Sequence, residues 1–278
     1  MIQIIKIVTL LSIFNTCYGT SSNLMTDLSM EWDEWSNHFK GDYIQYVGHY
    51  EGMTDDIDTH SKIKSQYLSG INNVRNWHNV EPLIQIIELD NIAQSYANYI
   101  ARTGSFEVSN FNKVFGLLKS CRDVDENEDV GKRVPIELYS NFDKGDKPFD
   151  FEANDEEMFK NENVEGRDKS IRMIWKSAIN IGIGVAKTNE IIYKKNKQHG
   201  TFYIIVAAIY PRPRTLGKYK ENITPRNLEL MIHDGYFQFL QKEKERDKSF
   251  IRYKMDPWLR NLMERVLEKD VSIEKKDN

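Results

Sequence analysis

The run from Met173 to Pro211 constrains the fold more than any other part of the chain. Its second half, Phe202–Tyr210, is apolar at nearly every position, so both faces of an extended segment there must be covered by other layers. This pattern predicts a central strand. In the first half, isoleucine and valine alternate with Gly182 and Gly184, which is typical of a strand that a neighbouring backbone or side chain approaches closely.

The segment between these two strands, Lys187–Gly200, is polar. It is predicted to form an exposed antiparallel connection. A helix is predicted to end near Trp175, just before the first strand. Together, these features predict a single sheet against which the rest of the chain docks.

Two apolar stripes farther upstream repeat at spacings of three and four residues and predict amphipathic helices. The first helical pattern begins at Ser61, and the second ends at Thr103 and Gly104, where glycine is typical of a helix C-terminus. The first stripe consists of Tyr67, Leu68, Ile71, Val74 and Trp77. The second consists of Leu89, Ile92, Ala93, Tyr96, Ala97 and Ile100.

The length of 278 residues fits one large domain or two small ones, and a hydrophobic content of 40% is enough for a core. A single domain with extensions is the simpler interpretation. The net charge of −4 argues against a general nucleic-acid binder, which needs a basic surface to neutralise phosphates. The basic patch Lys194–Lys197 is interpreted as a solvated hairpin tip.

Residues 1–19 are predicted to be a signal peptide, followed by an N-terminal extension over residues 20–60. Lys6 precedes the apolar run Ile7–Phe14, and the small residues Cys17 and Gly19 are placed for cleavage after Gly19. The apolar run is too short to span a bilayer comfortably. The protein is therefore predicted to be secreted and extracellular, with an uncleaved anchor as the alternative.

Cleavage after Gly19 leaves Cys121 as the single cysteine. A chain with one cysteine has no internal disulfide, so its stability must come from its core. Cys121 is then buried, free or paired between chains.

Several motifs resemble those of the CAP superfamily, which comprises cysteine-rich secretory proteins, antigen 5 and PR-1 and includes venom allergen-like proteins. The resemblance covers about residues 61–224, and it implies an α+β fold with three α-β-α layers and a CAP domain over that range. N-terminal and C-terminal helical extensions flank the domain. The motifs are Asn72-x-x-Arg75, Pro82-Leu83, Ala97–Phe106, Met173–Ser177, Gly182-x-Gly184, Tyr210-Pro211 and Gly217–Ile223.

Many CAP domains carry two histidines and two acidic residues that hold a zinc-like ion, because imidazole and carboxylate are suitable ligands. The resemblance places these four ligands at Val108, Leu117, Asn141 and Lys169. Valine and leucine cannot ligate, and a lysine repels a divalent cation. No metal site, no cofactor and no catalytic residue are therefore predicted.

Two glutamates lie close to these positions, Glu107 and Glu137. They are interpreted as ordinary surface residues and not as substitute ligands. The chain also lacks a Gly-x-Ser-x-Gly elbow, a His-Glu-x-x-His helix and a phosphate-binding glycine loop. Its six histidines are dispersed without ligand spacing.

In the family, an aromatic-bearing loop is linked to sterol binding. Phe142, Phe149 and Phe151 occupy the corresponding region at a different spacing and are candidate ligand contacts. The alternative is that these rings pack on the domain beneath an acidic loop. Asn222 begins an Asn-Ile-Thr sequon and is a candidate glycosylation site, although Pro225 just after it lowers the odds of use.

Residues 225–278 are predicted to form a C-terminal helical extension. Thr224 is predicted to cap a helix with Pro225 at its first position. A second helix is predicted from Asp256, with an apolar face running from Trp258 to Leu267. That face is predicted to dock on its own domain, with a partner or a membrane surface as the alternative.

These observations predict a secreted, non-enzymatic CAP-domain protein that binds a hydrophobic ligand, such as a sterol or fatty acid, or a protein receptor. The alternative is a metal-dependent hydrolase or protease of the family with a rearranged site. No nucleic-acid partner is predicted, and no oligomeric state.

Overall fold

The computed structural model describes residues 57–104, 116–123, 129–143, 149–161, 166–193 and 196–246. The chain divides into two compact units, Met1–Thr54 and Asp55–Asn278, and the described residues all belong to the second. The predicted signal peptide, Val108, Glu107 and the apolar face from Trp258 to Leu267 lie outside the described residues.

The described secondary structure alternates between helices and strands in a mixed order. The helices are α1 (Ile57–Asn76), α2 (Ile87–Thr103), α3 (Val130–Tyr139), α4 (Asp155–Asn161), α5 (Arg167–Ile174), α6 (Tyr219–Asn222), α7 (Leu228–His233) and α8 (Tyr236–Arg246). A 3-10 turn, Ser140–Asp143, follows α3 directly. The strands are β1 (Ile84–Gln85), β2 (Gly116–Asp123), β3 (Asn180–Tyr193) and β4 (Asn196–Tyr210).

The four described strands form one sheet in the order β1-β3-β4-β2. β3 and β4 pair as an antiparallel hairpin, β2 lies antiparallel to β4, and the short β1 lies parallel to β3. The apolar run Phe202–Tyr210 is therefore an interior part of the sheet, as predicted.

The prediction that Lys187–Gly200 is a connection was wrong. The two strands continue to pair as far as Tyr193 and Asn196, with an irregularity between Thr188 and Glu190. In a two-stranded antiparallel ladder, the inward backbone groups bond across the ladder and the outward ones can bond to water, so polar residues can continue the hairpin. An ion pair of 2.8 Å between Lys197 and Glu190 crosses it.

Helix α2 covers one face of the sheet, and two glycines let it approach closely. A Cβ added to Gly182 would lie 1.9 Å from the carbonyl carbon of Leu89, and one added to Gly184 would lie 2.3 Å from that of Ala93. The predicted close approach is confirmed. The six residues of the predicted α2 stripe are all buried, and Gly104 ends the helix with a φ of 65°.

The opposite face is covered by α1, α3, α5 and the chain beyond them, which share one core with the sheet. Trp175 is buried in this layer, and its ring meets that of Tyr219 edge-on at 5.2 Å. Helices thus lie on both sides of the sheet, which confirms the predicted α+β class with three α-β-α layers. No described helix is both long enough and apolar enough to cross a membrane.

The same core continues past Thr224. Four residues of α7 and α8 are buried in it, namely Met231, Tyr236, Phe237 and Leu240. The predicted helix start at Thr224 was wrong: α7 begins at Leu228, and the side chain of Asn227 accepts a hydrogen bond from the backbone N–H of Leu230. Thr224 instead donates its hydroxyl to the carbonyl of His78 at 2.5 Å.

We expect Gly182→Ala to destabilise the protein strongly, because the new methyl group would overlap the backbone of α2. Overpacking a core typically costs about 1–3 kcal/mol, and a clash with backbone belongs at the upper end. Gly200→Ala is the matched control, since the nearest atoms there belong to the side chain of Phe202. Urea denaturation of both variants checks the prediction, and equal midpoints would contradict this placement of α2.

Candidate functional site

Two of the motif residues, Asn72 and Arg75, fix the framework around the site. The Asn72 side chain accepts from the N–H of Leu83 at 2.8 Å and donates to its carbonyl at 3.1 Å. Arg75 is buried and donates to the carbonyls of Glu81, Met173, Trp175 and Ala178 at 2.7–3.0 Å. Burial lowers the pKa of Arg75 to about 10, a value at which the side chain stays charged at neutral pH.

Three of the four positions inferred for the family's metal ligands are described. Leu117 lies on β2 opposite Ala208 and is 4% exposed. Asn141 lies in the 3-10 turn, where its side chain is buried and donates to the carbonyl of Leu138 at 2.7 Å. Lys169 lies on α5 and is half-buried. The fourth, Val108, falls outside the described residues.

Each of these three positions lies on helix α5 or beside one of its ends. Gly166 directly precedes the helix, and a Cβ there would lie 2.8 Å from the side-chain carbon Cγ of Asn141. At the other end of the helix, Arg172 donates to the carbonyl of Leu117 at 3.3 Å. The three positions that the resemblance selects therefore lie on or next to one helix, α5.

The charges around α5 are mostly positive. The pKa of Lys119, two residues beyond Leu117, is lowered by burial and further by the charges of Lys169 and Arg172. Among the described residues, Asp168 contacts two of these cations, at 3.3 Å from Arg172 and 3.7 Å from Arg214. Such surroundings repel a divalent cation. Among the described residues, no group of three or more histidine, cysteine, aspartate or glutamate side chains is placed to hold a metal.

The three candidate ligand-binding rings pack on one another. Phe142 and Phe149 are buried, Phe151 is half-buried, and the three ring centroids lie 4.9–5.4 Å apart. The rings of Tyr139 and His78 complete this aromatic cluster, at 5.4 Å from Phe142 and 5.5 Å from Phe151 respectively. Ligand contact by Phe142, Phe149 and Phe151 stays a prediction.

His78 is fully buried and has a partner on each ring nitrogen. Its Nδ1 lies 2.6 Å from the carbonyl oxygen of Thr224, and its Nε2 lies 2.8 Å from the hydroxyl of Tyr139. Since a carbonyl can only accept, Nδ1 carries the proton and Nε2 accepts from Tyr139. Burial lowers the pKa of His78 to about 3, the Thr224 carbonyl opposes this shift, and the charges of Arg226 and Arg75 add to it.

A buried ion pair lies beside the histidine. Arg226 donates to Asp143 at 2.7 Å, and the hydroxyl of Tyr236 donates to the second carboxylate oxygen at 2.8 Å. Burial lowers the pKa of Arg226, but the Asp143 carboxylate together with Tyr139 and Tyr236 outweighs burial and raises that pKa above the usual range. Close by, the indole N–H of Trp77 donates to Asp234 at 2.9 Å.

No pattern in the sequence predicted this polar network. His78 is 61 residues from Tyr139 and 146 from Thr224, so no local spacing connects them. One signal was present: His78 directly follows Trp77 at the end of an apolar stripe, where a buried side chain is expected.

The candidate glycosylation residue, Asn222, is 5% exposed. Its side-chain oxygen accepts from the N–H of Ser177 at 2.9 Å, and its amide nitrogen donates to the carbonyl of Lys218 at 2.8 Å. The Asn222 side chain thus stabilises the turn that follows Trp175. Glycosylation of Asn222 stays a prediction.

No protein-family model matches the chain, and no curated protein matches it. Solved structures do match. The chain is similar in fold to known proteins. A structure of BmVAL-1 shares 16% identity at a TM-score of 0.39, and the match covers 56% of this chain and 79% of that one. A structure of NaASP2 with Zn2+ shares 13% identity at a TM-score of 0.39, with 64% and 89% covered.

A third similar structure is venom allergen-like protein 4 of Schistosoma mansoni, at 15% identity and a TM-score of 0.37, with 61% of this chain and 97% of that one covered. Because the TM-scores are below 0.5, no activity and no ligand is assigned to this chain from these structures.

We expect Asp143→Asn to destabilise the protein by about 3–5 kcal/mol, the usual cost of leaving a buried charge without its partner. The uncompensated charge would be that of Arg226. Glu221→Gln is the control, because it removes an exposed ion pair with Lys218 and should leave stability unchanged within error. Urea denaturation at neutral pH measures both, and a small effect of Asp143→Asn would contradict a buried pair.

Proposed function

We propose that this chain is a secreted CAP-superfamily protein that acts by binding a partner and not by catalysis. The observation that carries the proposal is the set of side chains around α5. Leu117 has no ligand atom, the amide of Asn141 is engaged with Leu138, and Lys169 is a cation. These residues do not fit the family's zinc ion.

The alternative, a metal-dependent hydrolase with a rearranged site, needs substitute ligands. Glu137 is paired with Arg133 at 2.7 Å, four residues before it on α3. The cationic side chains Lys119, Lys169 and Arg172 also oppose a metal-activated water at this place. The described residues therefore favour binding over hydrolysis.

Two kinds of partner are proposed: a hydrophobic ligand, such as a sterol or fatty acid, and a protein receptor. Phe142, Phe149 and Phe151 pack closely on one another, so each ring already has apolar contacts within the protein. By contrast, Ile84 and Ile179 are more than half exposed where their backbones meet at the β1 edge of the sheet, with an N–H to carbonyl distance of 2.9 Å. Exposed apolar side chains at a sheet edge support a protein receptor as the first choice.

Zinc analysis of the purified full chain tests the non-enzymatic proposal. After equilibration with zinc and removal of the excess, we expect no stoichiometric metal by mass spectrometry. The combined variant Val108→His, Leu117→Glu, Asn141→Glu and Lys169→His should gain a zinc ion if the four positions are those of the family site. The matched control carries glutamine in place of both glutamates and should gain none.

Stoichiometric zinc in the unaltered chain, with hydrolysis that a chelator abolishes, would instead support the enzyme. The two proposed partners are separated by extracting the secreted protein with organic solvent. A sterol or fatty acid recovered at about one molecule per chain supports the hydrophobic ligand, and recovery of none supports the receptor.

A further inference from the structure

The chain from Thr224 to Leu240 packs four apolar residues into the shared core and is also joined to the rest of the domain by polar contacts. The Thr224 hydroxyl and the Asn227 N–H bind the carbonyls of His78 and Trp77, at 2.5 and 2.6 Å. The Trp77 indole reaches Asp234, and the Arg226 and Tyr236 side chains reach Asp143. We call the residues from Thr224 to Leu240 the closing segment.

The upstream end of the closing segment is fixed independently. Asn222 accepts at its carbonyl from the N–H of Lys176 at 3.0 Å and at its side chain from the N–H of Ser177 at 2.9 Å. The chain before Thr224 can therefore stay in place when the segment after it moves. The sheet and α2 are held together by separate contacts, such as those of Gly182 and Gly184.

His78 lies at the centre of the polar contacts and is fully buried. One nitrogen donates to the closing segment at Thr224, and the other accepts from Tyr139 on α3. A second proton, on Nε2, would remove the lone pair that the Tyr139 hydroxyl uses. The bond would then run from Nε2–H to the hydroxyl oxygen, and the hydroxyl hydrogen would have to turn toward another acceptor. The Arg226 side chain, which bonds Tyr139, can only donate, and the Met231 sulfur lies 4.0 Å away.

The groups that face His78 offer the imidazolium no carboxylate of its own. Arg75 on α1 and Arg226 on the closing segment are both cations and both lower the pKa of the ring. Asp143 is already bound by Arg226 and by the Tyr236 hydroxyl. The described aromatic rings next to His78 are those of Tyr139, Phe142 and Phe151, none of which carries a negative charge.

We propose that His78 is an acid-sensitive latch, whose protonation releases the closing segment from α1 and α3 while the sheet and α2 stay folded. This inference goes beyond the proposed function and holds whatever partner the protein binds. Release would expose the apolar residues Met231, Tyr236 and Phe237 and the side of the aromatic cluster that they cover.

The direction of the pH effect follows from the two protonation states. The pKa of His78 is about 3 when the segment is closed and returns to about 6.5 when the ring reaches water. Between these values the open state binds more protons, so the closed state is favoured fully above pH 6.5 and progressively less as the pH falls toward 3. From pH 7 to pH 5, the opening equilibrium should rise about 25-fold.

Hydrogen exchange followed by mass spectrometry on the full chain measures this opening. After correction for the intrinsic pH dependence of exchange, peptides from the closing segment should exchange about 25-fold faster at pH 5 than at pH 7. Peptides from α2 and from Phe202–Tyr210 should keep their protection.

The variant His78→Gln keeps a donor and an acceptor but does not titrate in this range, and it should lose the acid response. His199→Gln is the matched control, because His199 is exposed on the hairpin and its removal should leave the response intact. If His78→Gln fails to fold, the exchange rates of the unaltered chain and of His199→Gln still test whether acid opens the closing segment.

Three results would overturn the proposal. The first is an unchanged exchange rate of the closing segment between pH 7 and pH 5 in the unaltered chain. The second is an equal rise in α2 and the sheet, which would mean global unfolding. The third is a full acid response in folded His78→Gln, which would assign the effect to another group.

Discussion

The guanidinium of Arg75 is the interaction on which the rest of the structure depends. It joins the end of α1 to the turn at Glu81 and to the carbonyls of Met173, Trp175 and Ala178, which are about a hundred residues away along the chain. Its partners are four carbonyl dipoles, which keep the buried cation hydrogen-bonded. The start of β3 is positioned by these bonds, and β3 in turn sets the register of the hairpin.

Helix α2 also supplies hydrogen-bond partners to the backbone of β3. The β1 strand pairs with it only at Asn180 and Ile181, so the backbone groups beyond would be exposed at an edge. The Asp90 side chain accepts from the N–H of Ile183 at 2.6 Å, and the Gln94 side chain binds both backbone groups of Val185 at 2.7–3.2 Å. Glycines at 182 and 184 bring the helix near enough for these bonds. The helix therefore supplies the hydrogen bonds that a longer β1 would have supplied.

Most of the layered fold could be predicted from the sequence, because its elements are periodic. The apolar stripes marked the buried faces of α1 and α2, and the run Phe202–Tyr210 marked an interior strand. The length of the hairpin could not be predicted, since its polar outer part resembles a loop. The cap of α7 was also missed: Thr224 and Asn227 are both typical capping residues, and a tertiary hydrogen bond from Thr224 to His78 decided between them.

The candidate site was predictable only in part, for a related reason. Family motifs selected Leu117, Asn141 and Lys169, and the structure places all three around α5. The contacts of His78 with Tyr139 and Thr224 join distant parts of the chain, and no pattern in the sequence connects them. Such networks arise from packing, so they can be found only once the layers are assembled.

Because Asn222 is buried in the folded protein, glycosylation of this residue has to precede folding of the turn around it. Its amide nitrogen is already bound to Lys218 in the folded protein, and the residue is almost completely enclosed. A sugar on that nitrogen and the native turn at Ser177 therefore compete for the same space. The sequon can be modified only before the turn forms. A glycan at Asn222 would therefore identify molecules that were glycosylated before this turn had folded.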